Sequence, residues 1–212
     1  MSLIERLKAA VIEGDLEGAP GVTREALVAG IDPQQIIDHA LIAAMDEVGE
    51  KFSCGDLFIP ERLLSAKTME SALAVLRPLI VEKGIKAKAT VVFGTVEGDV
   101  HDNGKNMVIM MMQGAGFEVH DLGTNVSAEK FCRAVQTQKP DLFCMSALLT
   151  TTQGAMAGTV QYLKEKGIRE SVKVMVGGAP ITEAFAREIG ADGYAPDAGT
   201  AVEKAKMLLG RK

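Results

Sequence analysis

The spacing of apolar residues in this chain of 212 residues changes near residue 85. Up to about Glu82 they recur at intervals of three and four, as from Ile36 to Val48, which is the spacing of amphipathic helices. After the short polar stretch Lys83–Lys88 they form short continuous runs separated by helical stretches, which is typical of buried parallel strands. We therefore expect two domains, residues 1–86 and 87–212.

The first part of the chain predicts about four helices. Breaks are expected at Gly14–Gly21, around Gly30–Asp32 and at Ser53–Asp56. The second break ends in an Asp-Pro pair, a helix cap followed by proline at the first helical position, and Pro60 can open the last helix in the same way. Pro78 should kink or end that helix. The pattern indicates a small four-helix bundle.

The second part alternates strands with helices. Expected strands are Ala89–Gly94, Phe117–Leu122, Asp141–Ala147, Val172–Gly177 and Gly193–Tyr194. Expected helices are Asn103–Gln113, Ala128–Thr137, Gln153–Lys166, Glu183–Ile189 and Ala198–Leu209. Five such units predict an α/β fold with a doubly wound, Rossmann-like parallel sheet of five strands. In the flavodoxin-like order 2-1-3-4-5, a ligand binds at the carboxyl ends of strands 1 and 3.

Composition excludes several classes of function. The net charge of −5 and the lack of a dense Lys/Arg cluster argue against nucleic acid as a partner. The charged N-terminus is unlike a signal peptide and no apolar run spans a bilayer, so we expect a cytoplasmic protein without a membrane partner. Cys54, Cys132 and Cys144 are far apart and are expected to be reduced packing thiols.

The loop that leaves the first strand, Gly94–Asn106, carries a histidine with a carboxylate two residues before it. A metal-bound imidazole usually donates its other N–H to a carboxylate, which sets the tautomer and strengthens the coordinating nitrogen. His101 and Asp99 have that relation in sequence. A single loop histidine beside acids is more often simply solvated, so the neighbouring strands must support the interpretation.

The ends of the third and fourth strands supply that support. Strand 3 runs into Ser146–Thr152, which places hydroxyl groups where the polar edge of a ligand would lie. Strand 4 ends at Gly177–Gly178, where missing side chains let a bulky group approach the backbone, although such a pair is also common in a tight turn. Together with the histidine loop, these residues predict a narrow groove at the carboxyl edge of the sheet.

The spacing of these elements resembles a known signature. The pattern is Asp99-x-His101-x-x-Gly104, 41 residues, Ser146-x-Leu148, 28 residues, Gly177-Gly178. It is similar to that of cobalamin-binding domains in which the benzimidazole tail leaves cobalt and a histidine takes its place. The resemblance implies that His101 is the lower axial ligand of cobalt, that Asp99 is its hydrogen-bond partner and that Thr152 continues the relay.

The resemblance also implies a set of cofactor-contacting residues. Ser146 and Thr150 should contact the buried tail, glycines should make room for it, and the segment Gly193–Ala198 is similar to a loop that closes over the nucleotide. The residues placed around the cofactor are Gly98, Asp99, Val100, His101, Asp102, Gly104, Ser146, Leu148, Thr150, Gly177, Gly178 and Ala198.

The helical part extends the resemblance to nearly the whole chain. It is similar to the four-helix cap that precedes the cobalamin domain in methionine synthase and in the corrinoid proteins of methanol, methylamine and methoxy-compound methyltransferases. By that alignment Phe52 and Ile59 would shield the upper, methyl-bearing face of the corrinoid. The alternative is that both are ordinary core residues.

The resemblance implies a corrinoid carrier that holds a methyl group on cobalt, as methylcobalamin. Its partners would be a substrate-specific methyltransferase, an acceptor methyltransferase and a reductive activase. The alternative is the small subunit of an adenosylcobalamin-dependent mutase, which shares the three motif elements but generally lacks the helical cap. A cobalamin-dependent regulator would need a DNA-binding or signalling domain, and none is visible. The sequence does not indicate which methyl donor is served.

Overall fold

The computed structural model describes residues 1–83 and 87–210. Two compact units account for them: Met1–Lys88 with Met110–Gly116, and Ala89–Ile109 with Phe117–Lys212. The expected boundary between residues 86 and 87 stays a prediction, because residues 84–86, and with them part of the expected linker, lie outside the described residues.

The helical unit contains the bundle that the sequence predicts. Its helices are α1 (Leu3–Glu13), α2 (Gly18–Val28), α3 (Pro33–Ile36), α4 (Ala43–Ser53) and α5 (Ile59–Lys83), and a π-helical segment, Ile37–Ile42, joins α3 to α4. Because Pro33–Ser53 is one continuous stretch, the described residues 1–83 form four helical segments. Their shared apolar faces form a core around Leu7, Ile36, Leu41 and Met69.

Local chemistry explains where these helices begin and end. Asp32 caps α3 through a bond from the Gln34 amide to its carboxylate at 3.1 Å, as expected for an Asp-Pro start. The first break is shorter than predicted, because Asp15 accepts the Gly18 amide at 2.9 Å and α2 begins there. Helix α5 continues past Pro78 to Lys83, so this proline does not end the helix, and the alternative expectation, a kink at Pro78, stays a prediction.

The second unit is the expected α/β domain. Its strands are β1 (Thr90–Thr95), β2 (Glu118–Asp121), β3 (Leu142–Ser146), β4 (Lys173–Gly177) and β5 (Gly193–Ala195). The helices are α6 (Asn103–Gly114, whose last residues belong to the helical unit), α7 (Ala128–Gln138), α8 (Gln153–Glu165), α9 (Glu183–Ile189) and α10 (Ala198–Leu208). The sheet is parallel in the order β2-β1-β3-β4-β5, which confirms the flavodoxin-like prediction.

The strand register brings the predicted site together at one edge of this sheet. Thr95 pairs with Ser146, and Ser146 pairs with Gly177, so the carboxyl ends of β1, β3 and β4 lie side by side. On one face of the sheet α7 and α8 pack against the central strands β1, β3 and β4, with Phe131 packed edge-on against Phe143 at 5.0 Å between ring centroids. The loops that follow these strand ends therefore start from a rigid base.

Among the helices in the described residues, none is long and apolar enough to cross a membrane. Cys132 and Cys144 are buried in the sheet domain, where burial raises the pKa of both thiols. Cys54 is exposed, so the expectation of a packing thiol is wrong for this residue. It lies at the end of α4, where the chain turns before α5.

Candidate functional site

The buried carboxylate of Asp99 organises the loop after β1. Its Oδ1 accepts hydrogen bonds from the His101 amide at 3.0 Å and from His101 Nδ1 at 2.8 Å. Its Oδ2 accepts from the amides of Leu148 and Leu149, at 2.7 and 3.2 Å, and from the Thr152 hydroxyl at 3.0 Å. One side chain, with no exposed surface, thus joins the histidine loop to the segment after β3.

These bonds decide the state of the histidine ring. Burial by itself raises the pKa of Asp99, but the amide and ring N–H donors of His101 and the amides of Leu148 and Leu149 outweigh it, so its pKa lies well below the ordinary value. An ionised carboxylate only accepts hydrogen bonds, so Nδ1 of His101 carries the proton. In the neutral ring this tautomer leaves the lone pair on Nε2, and the bond through Nδ1 is the only hydrogen bond of the ring to the described residues.

His101 lines a cavity of about 590 Å³ at the carboxyl edge of the sheet. This volume is in the range of small-molecule sites. The inner wall is largely apolar, with Phe93, Cys144 and Val176 from three adjacent strands. The histidine side chain is 48% exposed, so its ring is accessible to a ligand.

Most of the residues predicted from the sequence meet at this cavity. Those that line it are Val100, His101, Asp102, Gly104, Ser146, Leu148, Gly177, Gly178 and Ala198. The loop after β5 also contributes Pro196 and Asp197, and Asp197 caps α10 through the Thr200 amide at 2.8 Å. The predicted segments are therefore brought together by the fold, while their contacts with a cofactor stay predictions.

Other predicted residues lie outside the cavity lining. Gly98 shapes the loop before the histidine, with φ of 82°, and Thr150 is exposed at the start of a short 3₁₀ turn. Thr152 is buried behind Asp99. Phe52 and Ile59 belong to the helical unit, where the Arg62 guanidinium lies over the Phe52 ring at 4.9 Å and Ile59 is exposed at the start of α5. Their role as a shield stays a prediction.

Two glycines of the cavity differ in what a side chain at their position would meet. A Cβ on Gly178, whose φ is 127°, would lie 1.8 Å from the Ala147 carbonyl oxygen, so the protein's own backbone requires glycine there. A Cβ on Gly104 would meet no protein atom within 4 Å. The space beside Gly104 is therefore open to a ligand.

Three further residues hold the site, and the sequence analysis missed them. Thr95, at the end of β1, donates to the His101 carbonyl at 2.9 Å. Asn125, with φ of 52°, accepts the Gly98 amide on its side chain at 2.8 Å. The turn-forming sequence Gly-Thr-Asn could have indicated Asn125, because asparagine is second only to glycine in tolerating the left-handed conformation.

The third missed residue is Lys105, whose side chain is almost fully buried in the first turn of α6. Its Nζ lies 2.6 Å from an Asp121 carboxylate oxygen at the end of β2 and 2.7 Å from Asn106 Oδ1. A buried cation requires such partners, and the pair ties the helix that follows the histidine loop to the sheet.

Three exposed apolar residues lie on the segments that Asp99 joins around His101. Val100 is 70% exposed, and Leu148 and Leu149 are 46% and 40% exposed. An imidazole nitrogen that can coordinate a metal, exposed apolar side chains near it and an adjoining cavity suit a flat metal macrocycle with a tail. The residues present therefore fit a corrinoid, and the fold and site define a cobalamin-binding protein.

Comparison with known proteins gives the family. Two models, both described as a B12 binding domain, match residues 64–203 and 3–77. A corrinoid protein of Desulfitobacterium hafniense is 41% identical over 100% of this chain and 99% of its own length. The trimethylamine corrinoid protein of Methanosarcina barkeri is 44% identical over 98% of this chain and 96% of its own.

Solved structures agree. The methanol:cobalamin methyltransferase complex of M. barkeri matches with a TM-score of 0.86 at 32% identity, over 99% of this chain and 80% of the other. A cobalamin-binding protein of D. hafniense matches with a TM-score of 0.76 at 31% identity, over 98% of both. The chain belongs to the B12-binding corrinoid proteins of methyltransferase systems, and its cofactor is cobalamin or a related corrinoid.

Proposed function

We propose that this protein carries a methyl group on cobalt between two methyltransferases and that His101 is the lower axial ligand. The observation that supports this most directly is the bond between His101 Nδ1 and the buried Asp99, which leaves Nε2 with a lone pair beside the cavity. The bound cofactor supplies a metal centre that accepts a methyl group from one partner and gives it to another.

The chain's own residues set the donor strength of the imidazole. Asp99 fixes the tautomer and makes the ring a better donor, and Thr152 holds the carboxylate from its other side. Were the ring to leave the metal, the same carboxylate would stabilise a protonated imidazole.

The proposed partners are a substrate-specific methyltransferase, an acceptor methyltransferase and a reductive activase. One support is the structural neighbour, a complex that contains a methanol:cobalamin methyltransferase. A second is the names of the relatives, which include trimethylamine and dimethylamine corrinoid proteins. The helical unit favours this proposal over the mutase subunit, since that class generally lacks it.

The ligand is tested by electron paramagnetic resonance of protein loaded with cob(II)alamin. Coupling to a ¹⁴N nucleus gives triplets, and ¹⁵N-histidine labelling should convert them to doublets. His101→Ala should lose the doublets, whereas His39→Ala and His120→Ala, the other two histidines of the chain, should keep them. Triplets that persist after labelling would show that the imidazole of His101 is not the ligand.

The carrier role is tested with the reduced, cobalamin-loaded protein. Trimethylamine or dimethylamine with its methyltransferase should be tried first, then methanol, betaine and methoxylated aromatics. One methyl group per cobalt should be taken up, followed by absorbance, and passed on when an acceptor methyltransferase is added. Carbon-skeleton rearrangement with adenosylcobalamin and a large partner subunit, without methyl uptake in any pairing, would instead support a mutase subunit.

A further inference from the structure

The hydroxyl of Thr95 lies between the cavity and the main chain of His101. Thr95 has no exposed surface. Its Oγ1 is 2.9 Å from the His101 carbonyl oxygen and 3.0 Å from Ser146 Oγ. Ser146 lines the cavity, so these three groups form a continuous path from the cavity wall to the backbone of the proposed metal ligand.

Thr95 is a rigid support for this path. Its amide donates to the Gly123 carbonyl at 2.9 Å, and its own carbonyl accepts from the Val126 amide at 3.0 Å. A β-branched side chain on a strand has few rotamers, so the fixed backbone also fixes the hydroxyl. His101 is thus held at its amide by Asp99 and at its carbonyl by Thr95.

The number of protons determines the direction of the two hydroxyl bonds. A carbonyl oxygen only accepts, so Thr95 donates its single hydroxyl proton to the His101 carbonyl oxygen. The bond between the two hydroxyls then requires Ser146 as the donor to Thr95. The lone pairs of Ser146 Oγ remain available to a group in the cavity, whereas its proton is already used.

We infer that Thr95 is a positioning residue and that the chain Ser146 to Thr95 to the His101 carbonyl couples the occupant of the cavity to the metal ligand. This inference rests on the proposed function, in which His101 binds cobalt. A donor in the cavity can bond to Ser146 without disturbing the chain. An acceptor must take the Ser146 proton, and Thr95 then has one proton for two acceptors, Ser146 and His101. An acceptor in the cavity therefore weakens the hydrogen bond from Thr95 to the His101 carbonyl.

The experiment measures how firmly the ring holds cobalt. Protein labelled with ¹⁵N-histidine is loaded with cob(II)inamide, which has no nucleotide tail, and titrated with ¹⁴N-imidazole. Replacement of doublets by triplets in the resonance spectrum gives the imidazole concentration at half displacement. Thr95→Val and Thr95→Ala should lower that concentration about 3- to 10-fold, the scale of one neutral hydrogen bond. Thr95→Ser should stay within about twofold of wild type.

Two pairs of variants isolate the hydroxyl, because Thr and Val differ at the hydroxyl position, as do Ser and Ala. If circular dichroism shows that Thr95→Val does not fold, comparison of Thr95→Ser with Thr95→Ala still tests the role of the hydroxyl. Thr159→Val is the matched control, since Thr159 is also buried and donates to a backbone carbonyl, that of Ala155, at 2.8 Å. It should behave as wild type.

The coupling is tested by repeating the titration with cob(II)alamin, whose tail offers an accepting nitrogen. On the expectation that the tail contacts Ser146, the loss in Thr95→Val should be smaller with cobalamin than with cobinamide. Equal losses would overturn the coupling, and half displacement unchanged in both Val and Ala variants would overturn the positioning role. Absence of doublets in wild type would instead show that the proposed ligand itself is wrong.

Discussion

Replacing Asp99 by asparagine removes the acceptor on which the loop depends. Five donors lie within hydrogen-bond distance of the carboxylate, two at Oδ1 and three at Oδ2, and the single Thr152 proton is shared between Oδ2 and the Leu149 carbonyl oxygen at 2.8 Å. An asparagine side chain of the same shape has one accepting oxygen, and its amide nitrogen only donates. Whichever way the amide turns, some donors of the present structure face another donor.

The cost follows from which donors are left. With the amide nitrogen at the Oδ2 position, the amides of Leu148 and Leu149 lose their acceptor. With the nitrogen at the Oδ1 position, the His101 amide loses its acceptor, and the ring can bond only by moving its proton to Nε2. Each buried donor left without a partner costs about 1–3 kcal/mol. We expect Asp99→Asn to lower the free energy of unfolding by about 3 kcal/mol at pH 7.

The pH dependence has a definite sign. Hydrogen bonds hold the pKa of folded Asp99 below its ordinary value, which is about 3.9 in an unfolded chain. A lowered pKa contributes stability above the unfolded value, and that contribution is lost as the pH falls toward the folded value. The difference between wild type and Asp99→Asn should therefore shrink between about pH 5 and pH 3.

Urea denaturation of the cofactor-free protein at a series of pH values measures both effects. Asp141→Asn is the control, because Asp141 is exposed and accepts one backbone bond, from the Thr90 amide at 2.9 Å. Asp141→Asn should lower the free energy of unfolding by less than about 1 kcal/mol. A cost of Asp99→Asn that is equally small, or that does not change between pH 7 and pH 3, would refute the reasoning.

Other substitutions test the surroundings of the cavity. Asp121→Asn should lower the free energy of unfolding by about 3 kcal/mol, because the buried Lys105 cation loses its carboxylate partner. Lys105→Met should lower it by only about 1 kcal/mol, because the carboxylate that remains is 39% exposed. Equal losses in urea denaturation would contradict this reasoning. Gly178→Ala should cost more than about 3 kcal/mol, since its Cβ meets a backbone oxygen at 1.8 Å. Gly104→Ala should leave the melting temperature unchanged or higher but weaken cobalamin binding by calorimetry, and full binding would show that no ligand atom lies there.

The sequence alone predicted the architecture. The five strands and five helices of the sheet domain were placed within one or two residues, because buried parallel strands are continuous apolar runs and their helices have a different period. The order β2-β1-β3-β4-β5 agreed as well. The cofactor followed from the combined spacing of three elements, Asp99 to Gly104, Ser146 to Leu148 and Gly177-Gly178, which resembles the signature of cobalamin-binding domains.

Local sequence was a weaker guide where tertiary packing competes with it. The π-helical segment Ile37–Ile42 was not predicted, and α5 runs through Pro78. The segment is continuous with helices on both sides, and its apolar residues are buried in the core, so packing outweighs the local preference. Pro78 likewise removes one backbone hydrogen bond from α5, a loss that a long, packed helix can tolerate.

The sequence determined which residues could form a cobalamin site, and only the tertiary structure decided how they act on one another. Asp99 receives donors from segments 49 to 53 residues away, and Thr95 touches Ser146 across 51. No local pattern encodes such contacts, because they exist only when β1 and β3 lie side by side in register. The physical reason is that a buried carboxylate or hydroxyl must find its partners wherever the fold brings them.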